Sequence, residues 1–389
     1  MAGPLTGVRI IELVGLGPGP FCGMMLADMG AEVISVEKPS QARTGGRAND
    51  PTFRSRRSIA VDLKAAAGRD IVLRLIESAD GLFEGFRPGV AERLGLGPDA
   101  CQERNRRLVY GRITGWGQEG PLAHAAGHDL NYIALAGALH AIGSKGGRPI
   151  PPLNLVGDFG GGGMLLAFGM VCALYEAQRS GKGHVVNAAM IDGAAALMAM
   201  FAHFQALGLF DGLVGTHFLS GAAHFYGTYE TKDGKYVSIA AIEPQFYDEL
   251  IETLGLDRST FGKKDLASFI PGDGDETWSV LQRALEEVFK TKSRDEWCAL
   301  LEGTDVCFAP VLTLGEAPHH PHNAARQTFI DLAGVMQGAP APRFSRTAPA
   351  RPEPARQAGA DAREILRSNG FDAKEIDRLI ADGVISRPA

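Results

Sequence analysis

The sequence predicts an α/β fold with a parallel sheet, joined to a smaller mixed domain. Three observations carry this. An apolar run at residues 8–13, a helix-like stretch near 21–29 and a second apolar run at 32–37 form a βαβ unit, and such units build parallel sheets. The alternation of strand-like and helix-like segments continues to about residue 113. Further on, an Asp233-Gly234 dipeptide separates two β-rich runs, a strong hairpin signal. A chain of 389 residues, 45% apolar and 22% charged, is long enough for two cores and too apolar for disorder.

Taken in order, Val8-Arg9-Ile10-Ile11-Glu12-Leu13 reads as a buried strand, followed by a Gly/Pro loop and a helix. Residues 32–37, 59–63, 81–84 and 108–113 read as further strands, with 65–78 as an intervening helix. From 160 to about 212 the pattern is mostly helical. The longest apolar stretch, 188–213, contains Asp192, His203, Gln205 and Asp211, so it reads as buried helix rather than a membrane span. The hairpin pairs 225–231 with 236–241, and 244–305 is again mainly helical. Residues 338–358 carry Pro340, Pro342, Pro349, Pro352 and Pro354, the composition of a linker or extended arm. Residues 360–383 read as one or two short helices. The expected division is a large domain over 1–215, a small domain over 220–320, and a return arm with the rest of the large domain over 321–389.

The net charge of −6 argues against broad attraction to nucleic acid or anionic membrane, so an anionic ligand needs a local basic patch. Basic residues do concentrate early: Lys38, Arg43, Arg47, Arg54, Arg56, Arg57 and Arg87. Guanidinium forks beside serine hydroxyls suit phosphate oxygens, and a solvated face is the ordinary alternative. The five cysteines are scattered, odd in number and without a Cys-x-x-Cys pair. That pattern predicts no disulfide framework, no zinc site and a reducing cytoplasmic setting. The N-terminus has neither a basic region nor an apolar run of signal-peptide kind, and the last residues are not a peroxisomal tripeptide. His319, His320 and His322 lie among prolines without ligand spacing and read as loop.

Two motifs carry chemistry. Gly127-His128-Asp129 supplies an imidazole, suited to moving protons near neutral pH. Gly157-Asp158-Phe159 followed by four glycines places a carboxylate before an apolar, helix-like run. Bare backbone there would let a ligand approach, and free N–H groups at a helix start would stabilise an enolate oxygen. Each residue also has an ordinary explanation: His128 as a satisfied polar residue, Asp158 as an N-cap, Glu243 as a helix-start residue after the hairpin. The first loop, Gly15-Leu16-Gly17-Pro18-Gly19-Pro20, fails the Gly-x-Gly-x-x-Gly register, and its prolines remove donors, which weakens a dinucleotide-dependent oxidoreductase reading.

The ordered motifs resemble the class III CoA-transferase superfamily (CaiB/BaiF type), and within it the α-methylacyl-CoA racemases, particularly the bacterial enzymes. They include Gly3-Pro-Leu-Thr-Gly-Val-Arg-Ile, Gly17-Pro-Gly-Pro, Glu84-Gly-Phe-Arg-Pro-Gly-Val, Thr114-Gly-Trp-Gly-Gln, Gly127-His-Asp-Leu-Asn-Tyr-Ile, Asn154-Leu-Val-Gly-Asp-Phe-Gly-Gly-Gly and Ile242-Glu-Pro-Gln-Phe. The resemblance implies a Rossmann-like large domain, a small domain, and two chains interlocked as an obligate homodimer. It implies inversion at C2 of a 2-methyl-branched acyl-CoA by two-base proton transfer. His128 and Asp158 would serve opposite faces, and Glu243 would orient His128. Coenzyme A would enter as part of the substrate, with no metal and no other cofactor; Lys38, Arg56, Arg57 and Arg87 are the candidates to hold it. The alternative within the superfamily is a CoA-transferase using Asp158 as nucleophile.

Overall fold

A computed structural model describes residues 2–44, 49–262 and 274–388, those of 274–277 by backbone alone. Arg47 lies outside the described residues. The chain forms two compact units. The first comprises residues up to Ala136, Leu153–Ala196 and everything from His322 on; the second comprises Gly137–Pro152 and Leu197–Pro321. Residues 137–152 and 197–215, placed with the large domain on sequence pattern, cluster with the second unit.

The first unit is built on a seven-stranded sheet. Its strands are β1 (Arg9–Leu13), β2 (Glu32–Glu37), β3 (Arg57–Val61), β4 (Gly81–Glu84), β5 (Val109–Thr114), β6 (Val185–Ala189) and β12 (Ile385–Ser386). Their order is β12-β3-β2-β1-β4-β5-β6, and all pairs are parallel except β12 on β3. Period-two alternation sorts the side chains onto two faces. Ile11, Ile34, Leu82 and Tyr110 enter one core with the helix α2 (Ala66–Ile76) and the terminal helices α11 (Ala362–Ser368) and α12 (Ala373–Ala381). Their neighbours Ile10, Val33, Phe83 and Val109 enter the other, with α1 (Pro18–Asp28) and α5 (Leu165–Ser180). Burying each such side chain contributes about 1.5–3 kcal/mol.

Three segments depart from the sequence reading. β6 is a strand inside the stretch that reads as mostly helical; it lies at the sheet edge, and it pairs with β5 from Tyr110 to Thr114. The stretch 188–213 is not one buried helix. It supplies the end of β6, then α6 (Met190–Leu197) and α7 (Ala199–Ala206), and α7 has no buried residue. β10 (Phe329–Leu332) and β11 (Val335–Gly338) form an unforeseen antiparallel pair before the extended, proline-rich segment.

In the second unit the Asp233-Gly234 turn joins β7 (Tyr226–Glu230) to β8 (Tyr236–Ala240), with Gly234 at φ +71°. β9 (Phe308–Val311) completes a three-stranded antiparallel sheet. Phe225, Tyr229, Val237, Ile239, Tyr247, Trp278, Phe289 and Trp297 fill its core, with contributions from α8 (Pro244–Thr253), α9 (Gly274–Phe289) and α10 (Arg294–Leu301).

Candidate active site

In an open parallel sheet, ligands bind beyond the C-terminal strand ends where the strand order switches. Here the switch lies between β1 and β4. A cleft of about 570 Å³ opens there, lined by Leu16–Pro18 after β1, Gly85–Pro88 after β4, Gly115–Trp116 after β5, Met190 after β6, and by His128, Tyr132 and Asp158. The geometry thus brings together His128, Asp158 and Arg87 of the residues singled out from sequence.

His128 is exposed and caps α4 (Asp129–Leu135), its backbone N–H donating to Asn131 Oδ1 at 3.0 Å. Asp158 is not an N-cap. It sits in the first turn of a π-helical segment, Leu155–Met164, that runs directly into α5. Its Oδ2 accepts Asn154 Nδ2 at 3.3 Å and lies against Gly17, where an added Cβ would be 3.3 Å away. Gly17 has φ +65°, so both its backbone and its missing side chain serve this approach. Burial, together with the negative charge of Asp129, raises the Asp158 carboxyl above the usual range; the Asn154 amide and His128 pull it back. A carboxyl raised in this way is suited to acid and base roles nearer neutrality.

Asp129 is the residue that sequence reading passed over. Its buried carboxylate accepts the backbone N–H groups of Gly157 and Asp158, both at 2.7 Å, through Oδ2. The start of the His128 helix is therefore bonded to the turn that carries Asp158. Of the backbone N–H groups at the glycine-rich helix start expected to hold an enolate oxygen, those of Gly157 and Asp158 are engaged by Asp129. The glycine run also has a different use. Gly161, Gly162 and Gly163 are buried, and a Cβ on any of them would press into Ala194, Met190 or the Pro18–Cys22 segment. They permit close packing of the π-helical segment on α1 and α6, not ligand approach.

The other basic candidates separate. Lys38 is exposed just past β2 and does not line the cleft. Arg56 is 3% exposed, bonded to Glu12 and the Pro20 carbonyl, and stacked over Phe53 at 4.6 Å. Arg57 bridges Glu32 at 2.8 Å and Glu364 at 3.1 Å. A phosphate at either guanidinium would have to displace a carboxylate, so the structure speaks against Arg56 and Arg57 as ligand contacts. Glu243 is exposed in the second unit at the N-cap of α8, where its carboxylate makes no capping bond.

The sequence model of CoA-transferase family III matches residues 5–362. The chain belongs to CoA-transferase family III. Among its relatives, the alpha-methylacyl-CoA racemase of Mus musculus is 43% identical over 98% of this chain and 97% of its own length. The Homo sapiens protein of the same name is 41% identical over the same shares. A CaiB/BaiF family protein from Brucella suis superposes with a TM-score of 0.80 at 27% identity, covering 95% of this chain and 100% of that one. This chain has the mixed α/β architecture, and His128 and Asp158 line the cleft at the sheet's switch point. Among the described residues, no group of three or more His, Cys, Asp or Glu side chains could hold a metal ion.

Proposed function

We propose that this protein is a racemase that inverts C2 of 2-methyl-branched acyl-CoA thioesters. The observation that carries the reading is His128 and Asp158 together in one cleft, in a chain 43% identical to a racemase over nearly its whole length. A thioester carbonyl acidifies the α-proton. One of the two residues removes it, the enolate is planar at C2, and the other returns a proton to the opposite face. The reverse direction exchanges their roles, which requires a carboxyl able to hold a proton closer to neutrality, as Asp158 is. Proton transfer alone completes the reaction, so the reading invokes coenzyme A only as part of the substrate, with no metal or redox cofactor. Arg87 lies in the cleft to meet CoA oxygens, and exposed Lys38 is a second candidate.

The reading includes a homodimer in which Glu243 reaches His128 of the neighbouring copy. Its support is a stripe on the helical stretch Leu155–Ser180: Met164, Phe168, Val171 and Tyr175 recur at helical spacing and are 40–68% exposed. By length and composition this stretch could also cross a membrane, with 39% of its most apolar window buried. We assign the stripe to a second copy of the chain because α5 packs its opposite face on the sheet. The scattered free thiols fit a cytoplasmic setting.

The test is incubation of either C2 stereoisomer in D2O without added cofactor. The expected result is one deuterium at C2 and convergence on both stereoisomers. No C2 deuterium, with CoA passing to a free acid, would establish the transferase instead.

A further inference from the structure

Glu84 ends β4 and directly precedes the Gly85–Pro88 segment that lines the cleft. Its side chain is fully buried. Oε2 accepts the Phe86 backbone N–H at 2.6 Å, and Oε1 accepts Arg112 Nε at 3.0 Å. Arg112, on β5, is shared with Glu92 of α3 (Val90–Arg93) at 2.9 Å. The turn that presents Arg87 is thus fastened at its centre by a carboxylate outside the acid/base machinery.

We propose that Glu84 is a positioning residue: it holds the Arg87-bearing turn at the cleft, and its charge sets how tightly the cleft takes the polyanionic CoA moiety. This rests on the acyl-CoA reading above. As a carboxylate, Glu84 accepts two hydrogen bonds, one of them from a guanidinium, and such bonds are the stronger kind. As a neutral acid it would face the Phe86 N–H and the Arg112 guanidinium with a proton that neither can accept. Protonation therefore loosens the fastening.

That protonation falls within an ordinary pH range. Burial pushes the Glu84 carboxyl up to about 7, against the opposing pull of the Phe86 N–H and Arg112 and with the help of Glu92. Tyr110, the other titratable group facing it from β5, is itself raised and stays neutral. The sign follows. Above about pH 7 the carboxylate form holds the turn and binding is tight; below it the acid form predominates and binding weakens. Stability runs the other way, since a carboxyl raised by folding favours the folded state at low pH and loses that contribution as pH rises through its folded value.

The experiment measures CoA affinity by calorimetry from pH 6 to pH 8.5, beside kcat and KM, for wild type and Glu84→Gln. Gln keeps an acceptor and removes the charge. Wild type should lose about three- to tenfold in affinity on going down through pH 7, the scale of one weakened charged hydrogen bond. Glu84→Gln should sit near the weaker limit at all pH values, with KM raised and kcat within about threefold. Comparing the two proteins cancels the titration of the ligand's own phosphates. Should Glu84→Gln fail to fold because Arg112 loses its partner, Glu84→Gln/Arg112→Met carries the same comparison. A variant with the wild-type affinity at pH 8, or with the wild-type pH dependence, overturns the proposal. Calorimetry does not depend on turnover, so a CoA-binding step without C2 exchange would leave Glu84 standing and remove the racemase instead.

Discussion

Two regions of the first unit are rich in the side chains that do chemistry, and they use them in opposite ways. Around Arg54–Arg57 each guanidinium is paired with a carboxylate inside the fold. Arg54 grips Asp28 with Nε at 2.9 Å and also meets Gln337, Arg56 meets Glu12, and Arg57 bridges Glu32 and Glu364. At the switch-point cleft, His128 is exposed, and Asp158 is held by a single long side-chain bond and raised by burial. Both regions look equally reactive as strings of letters. Matched charges hold β2, β3 and α1 together; incompletely matched ones remain available to a substrate. Reactivity here is legible in what the partners leave over, not in residue type.

The largest effects are expected at the cleft. His128→Ala and Asp158→Ala should each reduce inversion by about a hundredfold to ten-thousandfold, the usual contribution of a general acid or base, while thermal stability changes little. Each variant can still exchange the C2 proton of one stereoisomer, because one base survives. Co-expressing His128→Ala with Glu243→Ala chains should restore one competent site per heterodimer if the site is shared. Chiral chromatography and mass spectrometry read all three. Wild-type inversion in both single variants would end the two-base assignment, and an assembled but inactive heterodimer would end the shared one.

Much of the fold could be read before the structure because period two is a local signal: Ile10 and Ile11 had to face opposite ways, and the Asp233-Gly234 turn fixes its own hairpin. β6 was missed although Val185 and Val186 favour a strand, because its five residues lie between two helical runs and give only a short signal beside the pairing with β5. At the site, His128 and Asp158 were legible as reactive types. The roles of Asp129 and Glu84 were not, because each depends on a bond to backbone across a turn or between distant segments. The arginine cluster misled for the same reason. Glu12 and Glu32 lie far from Arg56 and Arg57 in sequence, and only the parallel register of β2 with β3, and of β1 with β2, brings them together.

A middle-sized effect sharpens the contrast by exchanging what each arginine disturbs. Arg56→Met removes one partner of a buried pair and leaves Glu12 charged with Ser35 as its remaining donor. It should cost about 3–5 kcal/mol of unfolding free energy, with KM unchanged in the folded fraction. Arg87→Met should do the reverse: stability within about 0.5 kcal/mol, and KM for acyl-CoA raised about tenfold. Denaturant titrations and steady-state kinetics on the same preparations separate the two. If Arg56→Met raises KM without destabilising the fold, the matched region is part of the site and the contrast collapses.

The smallest effect tests whether the incomplete matching of Asp158 is itself functional. Burial and Asp129 raise its carboxyl, and the Asn154 amide at 3.3 Å is the side-chain donor that pulls it down. Asn154→Leu removes that pull, so the carboxyl moves further up. In the direction where Asp158 acts as base, activity, read as kcat, needs the carboxylate, and its acid limb should move to higher pH. In the direction where Asp158 acts as acid, activity should persist to higher pH than in wild type. The plateau rates should change by no more than about tenfold, the value of one ordinary hydrogen bond. Stability supplies an independent sign: a carboxyl raised by folding contributes most below its unfolded value and loses that contribution as pH rises through the folded one, so Asn154→Leu should steepen the loss on the alkaline side. Measuring both directions with the two separate stereoisomers is essential, because a uniform fall in rate would follow from mere displacement of the π-helical turn. An upward shift of both limbs, costing activity in one direction and extending it in the other, would not, and its absence would mean that Asn154 only packs.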